Sequence, residues 1–385
     1  MKVSAGPSRR VVILQKFIAQ YRVPFFEALR SRLAEADIEL IVGYGAAAGA
    51  EAMKRDEATL RWGQYLKTRY IKLGRKTLVW QPHRRLIREG DLVVVEQASK
   101  LISNYALFWS HARGHIRLAL WGHGQNLVSS NPSRIGEALK RWFSTRPAWW
   151  FAYTNGSARY VTDLGFPEAR VTSVQNAIDT VALRAAKGDV DVEATARLKR
   201  QLGITTTNVA IYCGSLYHEK RLDFLLEASK IVRRNVSDFE LIVIGAGELS
   251  LQLEGHAKRF DWLHIVGPAF DREKAQYFSL AKVMLIPGLV GLAVLDSFVL
   301  ETPLIAIDGV GHAPEIEYLE SGENGLLLPA GATPADYAAA IQELLCNEAA
   351  RRQLIAGCRR AAAEYTIENM AERFARGIEL ALHRP

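Results

Sequence analysis

Short apolar runs alternate with longer amphipathic segments along the whole chain, which predicts strands separated by helices. In the first half, strands are predicted at Val11–Leu14, Ile38–Val42, Leu92–Val95, Ile116–Leu120, Trp150–Tyr153 and Val171–Val174. In the second half, they are predicted at Val209–Cys213, Leu241–Ile244, His264–Val266, Val283–Ile286, Leu304–Ile307 and Leu326–Leu328. Helical patterns lie between them, as at Pro24–Ala36 and Leu222–Arg234. Apolar strands alternating with helices are typical of an α/β fold with helices on both faces of parallel sheets.

A change of composition marks a boundary between two domains. Residues 180–203 are rich in charged side chains, lack a strand pattern and precede a fresh strand at Asn208. Each half opens with a strand and then a helix, which predicts two Rossmann-like domains, residues 1–179 and 180–367, facing each other across a cleft. The final stretch, residues 368–385, has a helical pattern, and we expect it to return to the first domain.

Composition narrows the class of protein. A chain of 385 residues, 49% hydrophobic and 23% charged, is typical of a globular protein with two domains. It contains no run of 18 or more apolar residues, and its polar start, Met1–Arg10, does not resemble a secretory signal. The cysteines Cys213, Cys346 and Cys358 fit neither a disulfide framework nor a zinc pattern, so we expect reduced core thiols in a cytoplasmic protein.

The formal net charge of +8 favours an anionic partner, such as nucleic acid, a phosphorylated small molecule or an anionic membrane. Cations are concentrated in the first half, and residues 140–150 mix them with tryptophans. This segment fits equally a solvated face beside core tryptophans and a patch that contacts the inner face of a membrane. No nucleic-acid-binding motif accompanies the charge, so no nucleic-acid partner is expected.

Ligands of open parallel sheets bind beyond the carboxyl ends of the strands, so the loops there are the candidate site. After the first strand of the second domain, Gly214 permits a close turn, and Lys220 and Arg221 at a helix start suit a diphosphate. The same residues would also fit an ordinary turn with surface cations. Gly245 and Gly247 after the next strand give weak indications of a close backbone approach.

Two further loops complete the set. After the strand ending at Ile286, a helix is predicted to begin near Leu292, where the amides of Gly291 and Leu292 would face an anion. Asp296, about one turn inside that helix, calls for a partner such as a ligand hydroxyl. Glu315 follows the strand at Leu304–Ile307, and from spacing alone it is a helix-capping carboxylate.

Taken together and in order, these loops resemble the donor-binding half of family-4 glycosyltransferases, the group 1 enzymes of the GT-B fold. That family has Gly-Arg-Leu-x3-Lys-Gly where this chain has Gly214 to Arg221, and a Glu-x7-Glu element at Gly288 to Ser297. Its Gly-Gly-x-Pro-Glu-Ile matches Gly311 to Ile316. In the first domain, Arg22–Leu29, Gln175–Asp179 and the His123 loop are similar to members that build bacterial polysaccharides.

The resemblance implies a retaining, metal-independent glycosyltransferase that moves a sugar from a nucleotide diphosphate to a glycan or lipid-linked acceptor, with no cofactor. The implied catalytic residues are His123, Lys220 and Asp296. The implied donor-binding residues are Gly214, Ser215, Arg221, Gly245, Gly247, Gly288, Gly291, Leu292 and Glu315. Arg22 and Asn126 are the implied acceptor-side residues. The one Asp-x-Asp sequence considered as a metal pair, Asp189 to Asp191, lies in the charged boundary segment and is interpreted as a solvated linker.

Three positions depart from the family pattern. Gly288 replaces the first glutamate of the pair, Asp296 replaces the second, and Ser215 replaces an arginine. We expect Asp296 still to bind ribose and Arg221 to compensate for the missing cation. Loss of the first glutamate favours an altered sugar specificity, but it also suits a catalytically silent partner of an active transferase. An epimerase acting on nucleotide sugars is a further alternative.

Overall fold

The computed structural model describes residues 9–49, 52, 57–74, 76–124 and 141–383. The chain divides into two compact units. Unit 1 consists of residues 1–178 together with 367–385, and unit 2 consists of residues 179–366.

Unit 1 is built on a seven-stranded parallel sheet. Its strands in chain order are β1 Arg9–Gln15, β2 Ile18–Ala19, β3 Ile38–Tyr44, β4 Glu57–Ala58, β5 Gln64–Tyr65, β6 Arg69–Leu73, β7 Lys76–Trp80, β8 Leu92–Glu96, β9 Arg117–Gly122, β10 Trp149–Ala152 and β11 Val171–Ser173. The sheet order is β11-β10-β9-β8-β1-β3-β5, while β2 pairs with β4 and β6 with β7 in antiparallel fashion. The helices are α1 Val23–Glu35, α2 Ser103–Ala112 and α3 Asn155–Asp163. The central segments Val11–Leu14 and Leu92–Val95 are apolar because both faces of the sheet are buried.

Unit 2 is built on a six-stranded parallel sheet in the order β14-β13-β12-β15-β16-β17. Its strands are β12 Val209–Cys213, β13 Glu240–Ile244, β14 Leu263–Gly267, β15 Val283–Ile286, β16 Leu304–Ile307 and β17 Gly325–Leu328. Its helices are α4 Thr180–Gly188, α5 Val192–Gln201, α6 Leu222–Asn235, α7 Ser250–Ala257, α8 Asp271–Phe278, α9 Ala293–Val299, α10 Pro334–Cys346 and α11 Glu348–Glu364. The chain builds the sheet from β12 towards β14, and then returns to add β15 on the other side of β12.

The last helix, α12 Ile367–His383, belongs to unit 1. It packs along α1 and covers the sheet with Phe374, whose ring stacks on Phe151 at 4.1 Å. Phe374 also meets Phe25 and Trp121 edge-on or nearly so, at 5.4 and 5.0 Å. Large rings exclude much water, so this contact ties the end of the chain to the core of unit 1.

The predicted α/β class and the two Rossmann-like units are confirmed, and every predicted strand is present. The hairpin β6–β7 was missed because β6 is mostly exposed and Arg69 and Lys72 interrupt its apolar residues, so it contains no long apolar run. The charged segment 180–203 is not an irregular linker, since it forms α4 and α5. Asp179 and Asp191 cap the two helices by accepting backbone N–H groups, which explains the acidic residues there.

The cysteine prediction was right for two residues and wrong for the third. Cys213 and Cys358 are buried free thiols, but Cys346 is exposed because it is the last residue of α10. Burial raises the pKa of Cys213 to about 12, and the nearby charge of Asp296 adds to the effect. Cys213 is therefore a neutral core thiol.

Candidate functional site

The candidate donor site lies where the strand order of unit 2 reverses. β12 neighbours both β13 and β15, so the loops that follow β12 and β15 leave adjacent strands at the same edge of the sheet. Ligands of open α/β sheets bind at such switch points. The predicted residues Gly214–Arg221 and Gly288–Leu292 are therefore brought together.

The loop after β12 is packed directly against the loop after β13. The N–H of Leu216 donates to the carbonyl of Ala246 at 3.0 Å, and the N–H of Gly214 donates to that of Ile244 at 3.0 Å. A Cβ on Gly245 would lie 1.9 Å from the Gly214 oxygen, and one on Gly247 would lie 2.4 Å from the Leu216 oxygen. The close backbone approach predicted for Gly245 and Gly247 is thus made to the chain's own neighbouring loop.

Arg221 stands in a backbone conformation that favours glycine. It ends the 3-10 helix His218–Lys220 with φ 54° and ψ 45° in the left-handed region, which costs a non-glycine residue roughly 1 kcal/mol. Its guanidinium lies 4.4 Å over the ring of Phe224 and reaches the carbonyl of Pro287 at 3.5 Å. These two contacts engage one N–H and one face of the guanidinium, so it keeps further N–H donors.

Lys220 and Gly288 close the loop after β12 onto the loop after β15. The Lys220 ammonium donates to the carbonyl of Leu289 at 2.5 Å, and the N–H of Leu289 donates to the carbonyl of Glu219 at 2.9 Å. A Cβ on Gly288 would lie 2.3 Å from the Glu219 oxygen and 2.4 Å from the Lys220 carbonyl carbon. The absence of a side chain at position 288 therefore does more than remove a carboxylate, because it permits the two loops to touch.

His312 is a residue of this site that sequence reasoning missed. Its Nδ1 accepts the N–H of Val290 at 3.0 Å, so its Nε2 carries the proton and donates to the carbonyl of Ile307 at 2.7 Å. Burial and the nearby Lys220 charge lower its pKa, against the raising effects of the Ile307 carbonyl and Asp308. A histidine where the family has glycine was the available signal. The neutral ring fastens the loop after β15 to the end of β16.

Asp296 lies in the first turn of α9, a helix of seven residues that begins just after Leu292. Its carboxylate forms an ion pair with the ammonium of Lys274 on α8, with 2.6 Å between Oδ1 and Nζ. Glu315 is buried, with 4% of its surface exposed, inside the 3-10 helix Pro314–Tyr318. It therefore lies within a short turn of helix and does not cap an α-helix. Gly291, by contrast, has room around it, because the nearest atom to an added Cβ would be 3.7 Å away.

The predicted residues of unit 1 lie at the carboxyl edge of its own sheet. His123 follows β9 and faces the ring of Tyr153 with 6.1 Å between ring centroids. The amide of Gln97 holds the same loop, because it donates to the carbonyl of Gly124 at 3.0 Å and accepts its N–H at 2.8 Å. These two bonds fix the backbone beside His123. Asn126 lies outside the described residues.

Arg22 is buried among aromatic rings. Its guanidinium lies 4.8 Å from the ring of Trp121 and 5.7 Å from that of Tyr153, and 5% of the residue surface is exposed. It also approaches the sulfur of Met370 on α12 at 3.9 Å. Arg22 therefore stabilises the edge of unit 1 through cation–π contacts.

The part of the chain that the structure describes contains no group of three or more histidine, cysteine, aspartate or glutamate side chains placed to hold a metal ion. Within the same residues, no helix combines the length and apolar character needed to cross a membrane.

Sequence comparisons relate this chain to glycosyltransferases. Residues 207–347 match the family model described as glycosyl transferases group 1. The chain is 25% identical over 173 residues to the alpha-D-kanosaminyltransferase of Streptomyces kanamyceticus, covering 43% of this chain and 44% of the relative. It is 24% identical over 256 residues to EpsD of Bacillus subtilis strain 168, which is named as a glycosyltransferase, covering 62% and 65%. The matches thus span less than two thirds of either relative.

The fold has a close counterpart among solved structures. The HepE protein of Anabaena, in complex with UDP, superposes with a TM-score of 0.69 at 13% identity over 96% of this chain and 99% of its own. At that identity the likeness shows the fold, which is the GT-B fold of two Rossmann-like domains.

Proposed function

We propose that this chain, whose residues 207–347 match the group 1 glycosyltransferase model, transfers a sugar from a nucleotide diphosphate sugar to a glycan or lipid-linked glycan. The observation that carries the proposal is the position of the family match. The matched segment includes the loops after β12, β13, β15 and β16, which meet at the switch point of unit 2. The kinship with a kanosaminyltransferase and with EpsD supports transfer, and the UDP complex of HepE supports a nucleotide donor.

The proposed donor residues contact different parts of the nucleotide sugar according to their charge. Lys220 and the backbone amides of Gly291 and Leu292 would neutralise the leaving diphosphate, which is the largest charge that develops in the reaction. Lys220 already lies at the contact between the two loops, so the cation is positioned before the donor arrives. The carboxylate of Asp296 would accept hydrogen bonds from the hydroxyl groups of the ribose. Gly214 and Ser215 would line the approach to the phosphates, and Glu315 would contact the donor from the loop after β16.

We further propose that transfer proceeds with retention at the anomeric carbon and needs no metal. The leaving phosphate oxygen would take the acceptor proton while a short-lived oxocarbenium-like sugar forms, so no enzymic nucleophile is needed. Catalysis would then rest on aligning the donor with the acceptor and on neutralising the leaving diphosphate. The loop after β12 would supply a cation for this, and the loop after β15 would supply backbone amides. His123, held beside the backbone that Gln97 clamps, would contact the sugar.

An anionic membrane is the partner that we propose for one face of unit 1. We call it the Trp–Arg face and define it by Trp109, Arg113, Arg141, Trp142 and Arg146. The tryptophans are 64% and 45% exposed, and an arginine lies over each ring, at 5.1 and 4.5 Å. The described residues 97–124 and 141–153 contain no aspartate or glutamate. Tryptophan and arginine together suit the boundary between lipid headgroups and acyl chains.

The structure corrects the composition of this face. Trp149 and Trp150 are 2% and 0% exposed, because they lie in β10, and their indole N–H groups donate to Thr172 and to the carbonyl of Ser144. These two tryptophans belong to the core, so the membrane contact would depend on Trp109 and Trp142. Lys140 lies outside the described residues.

Transfer is tested by mixing the purified chain with UDP-, GDP- and dTDP-sugars in the presence of EDTA, with and without a lipid-linked glycan acceptor. We expect one nucleotide class to raise the melting temperature, and acceptor-dependent release of its diphosphate with an unchanged anomeric configuration in the product. Binding without release under all acceptors would instead identify a silent partner. Release of an altered free sugar without any acceptor would identify an epimerase.

The membrane contact is tested by sedimentation with vesicles of phosphatidylcholine alone or mixed with phosphatidylglycerol, at about 150 mM salt. Binding should require the anionic lipid, and Trp109→Ser combined with Trp142→Ser should reduce it about tenfold. Leu251→Ser, which alters a side chain of unit 2 that is 81% exposed, is the matched control. Equal binding by the control and by the double variant would rule out the Trp–Arg face as the contact.

A further inference from the structure

The ion pair between Lys274 and Asp296 joins two helices at the donor edge of unit 2. Lys274 lies on α8, which follows β14, and Asp296 lies in the first turn of α9, which follows β15. Nζ and Oδ1 are 2.6 Å apart, and the side chains are 17% and 12% exposed. Both side chains are mostly buried but keep a small exposed area.

Asp296 helps to keep Lys274 charged. Burial is the largest effect and lowers the pKa of Lys274, but the charge of Asp296 and the hydrogen bond to it, with smaller raising effects from other neighbours, outweigh burial, so the net pKa lies above the usual value. The lysine is therefore a cation at neutral pH. An isolated charge in this mostly buried place would be costly, whereas the pair has no net charge. A diphosphate arriving nearby meets a neutral pair and is not repelled by a lone carboxylate.

The pair presents one acceptor and one donor to a ligand. Oδ1 of Asp296 is engaged by Lys274, so Oδ2 remains to accept, and the ammonium of Lys274 has further N–H groups to donate. A vicinal diol is the complementary ligand, because one hydroxyl can donate to Oδ2 while its neighbour accepts from Nζ. A single hydroxyl or a phosphate would satisfy half of the pair.

We propose that Lys274 is a positioning and specificity residue, which together with Asp296 reads the 2′,3′-diol of the donor ribose and so selects ribonucleotide over 2′-deoxyribonucleotide donors. This inference rests on the proposed function, since it assigns a second residue to the nucleotide end of the same site. It also predicts that dTDP-sugars, which lack the 2′-hydroxyl, are poor donors for this chain. A site built to hydrogen-bond a hydroxyl strongly rejects the analogue that lacks it.

The experiment is calorimetric titration of the full chain with UDP and GDP, each beside its 2′-deoxy form. We expect the wild-type chain to prefer the ribonucleotide by about thirtyfold, because the 2′-deoxy form loses a hydrogen bond to a charged group. Lys274→Met should reduce that preference to about threefold and weaken binding of the ribonucleotide about tenfold, because Asp296 loses the cation that orients it. The ratio between the two nucleotides is the readout that a merely structural role would leave unchanged.

Two further variants keep the result interpretable. Lys274→Met combined with Asp296→Asn removes both charges, so it should fold even where the single variant does not, and its preference should also be lost. Lys282→Met is the matched control. Lys282 is a half-buried lysine just before β15, and its ammonium donates to the side chain of Asn208 and to the carbonyl of Leu345. It should destabilise unit 2 and leave the preference intact.

The outcomes separate this inference from the function it rests on. A wild-type preference that survives in both Lys274 variants would overturn the role of Lys274 while leaving a nucleotide-binding transferase in place. A wild-type chain that binds both nucleotide forms equally would overturn the reading of the diol. A chain that binds no nucleoside diphosphate at all would remove the proposed function itself.

Discussion

The loops at the carboxyl edges of the two sheets are held together by different kinds of contact. In unit 2 the loops meet backbone to backbone, and Gly245, Gly247 and Gly288 leave no space for a Cβ. In unit 1 the corresponding edge is held by side chains, with Arg22 among rings and the amide of Gln97 on the backbone of Gly124. A substitution in unit 2 therefore acts through excluded volume, whereas one in unit 1 acts through a lost contact. Packed backbone relaxes little, while side chains can partly rearrange.

The most severe expected effect comes from restoring the family's residue at position 288. Gly288→Glu should destabilise unit 2 by about 3 kcal/mol and lower its unfolding midpoint by about 10 °C, because the Cβ meets the backbone of Glu219 and Lys220. It should also reduce transfer instead of improving it. Calorimetric melting checks the first effect and product formation the second.

Gly331→Glu is the control for that prediction, because nothing lies within 4 Å of a Cβ built on the exposed Gly331. We expect it to change the midpoint by less than about 1 °C. A Gly288→Glu variant as stable as this control would show that the two loops separate easily, and the contrast between the units would then fail.

An intermediate effect is expected from Arg22→Met, which removes a buried guanidinium from the rings of Trp121 and Tyr153 while keeping an apolar stem. The loss should be about 2 kcal/mol, since cation–π contacts are strongest when desolvated. The matched control is Arg30→Met, whose exposed guanidinium lies 4.6 Å over Trp62 and should contribute about 0.5 kcal/mol. Denaturant unfolding monitored by tryptophan fluorescence compares them. Equal losses would mean that burial does not strengthen the contact in unit 1.

The smallest expected effect concerns His312, whose ring links the loop after β15 to the end of β16 in unit 2. Its pKa is lowered in the folded chain, so its stabilising contribution is present above the ordinary histidine pKa of about 6.5 and is lost as the pH falls below it. Protonation would place a hydrogen on Nδ1, which now accepts the N–H of Val290.

The test compares melting midpoints at about pH 7.5 and about pH 5 for the wild-type chain and for His312→Gln. Glutamine keeps one donor and one acceptor but does not titrate, so the acid-induced loss should shrink by about 1 kcal/mol. His83 in unit 1, whose pKa burial also lowers, supplies the comparison through His83→Gln. An acid response unchanged by His312→Gln would show that this ring does not control the loop.

The fold was largely predictable because the strands of both units are buried on both faces and stand out as apolar runs. The strand at Val209–Cys213 is identical in prediction and structure. The order of glycines and charges also placed Lys220, Gly291 and Asp296 at one edge of one sheet. Both results depend on local pattern, which a sequence displays directly.

Contacts between distant segments were not predictable. The sequence does not show that Gly288 lies against Glu219, that His312 binds Val290, or that Lys274 pairs with Asp296. Each contact depends on how two loops or helices from separate parts of the chain are placed. Arg22 was assigned to the acceptor side from the family resemblance of Arg22–Leu29, which does not show that the rings of Trp121 and Tyr153 enclose its guanidinium.

Because α12 belongs to unit 1, the ribosome completes the residues of unit 2 before those of unit 1. Unit 2 is translated between the two parts of unit 1, so about 190 residues, or roughly ten to forty seconds at ribosomal speed, separate the first part from the helix that completes it. During that interval the aromatic surface formed by Phe25, Trp121 and Phe151 awaits Phe374. All residues of unit 2 are thus synthesised before unit 1 is complete. A chaperone that binds exposed aromatic rings would have the longest time to bind this surface of unit 1.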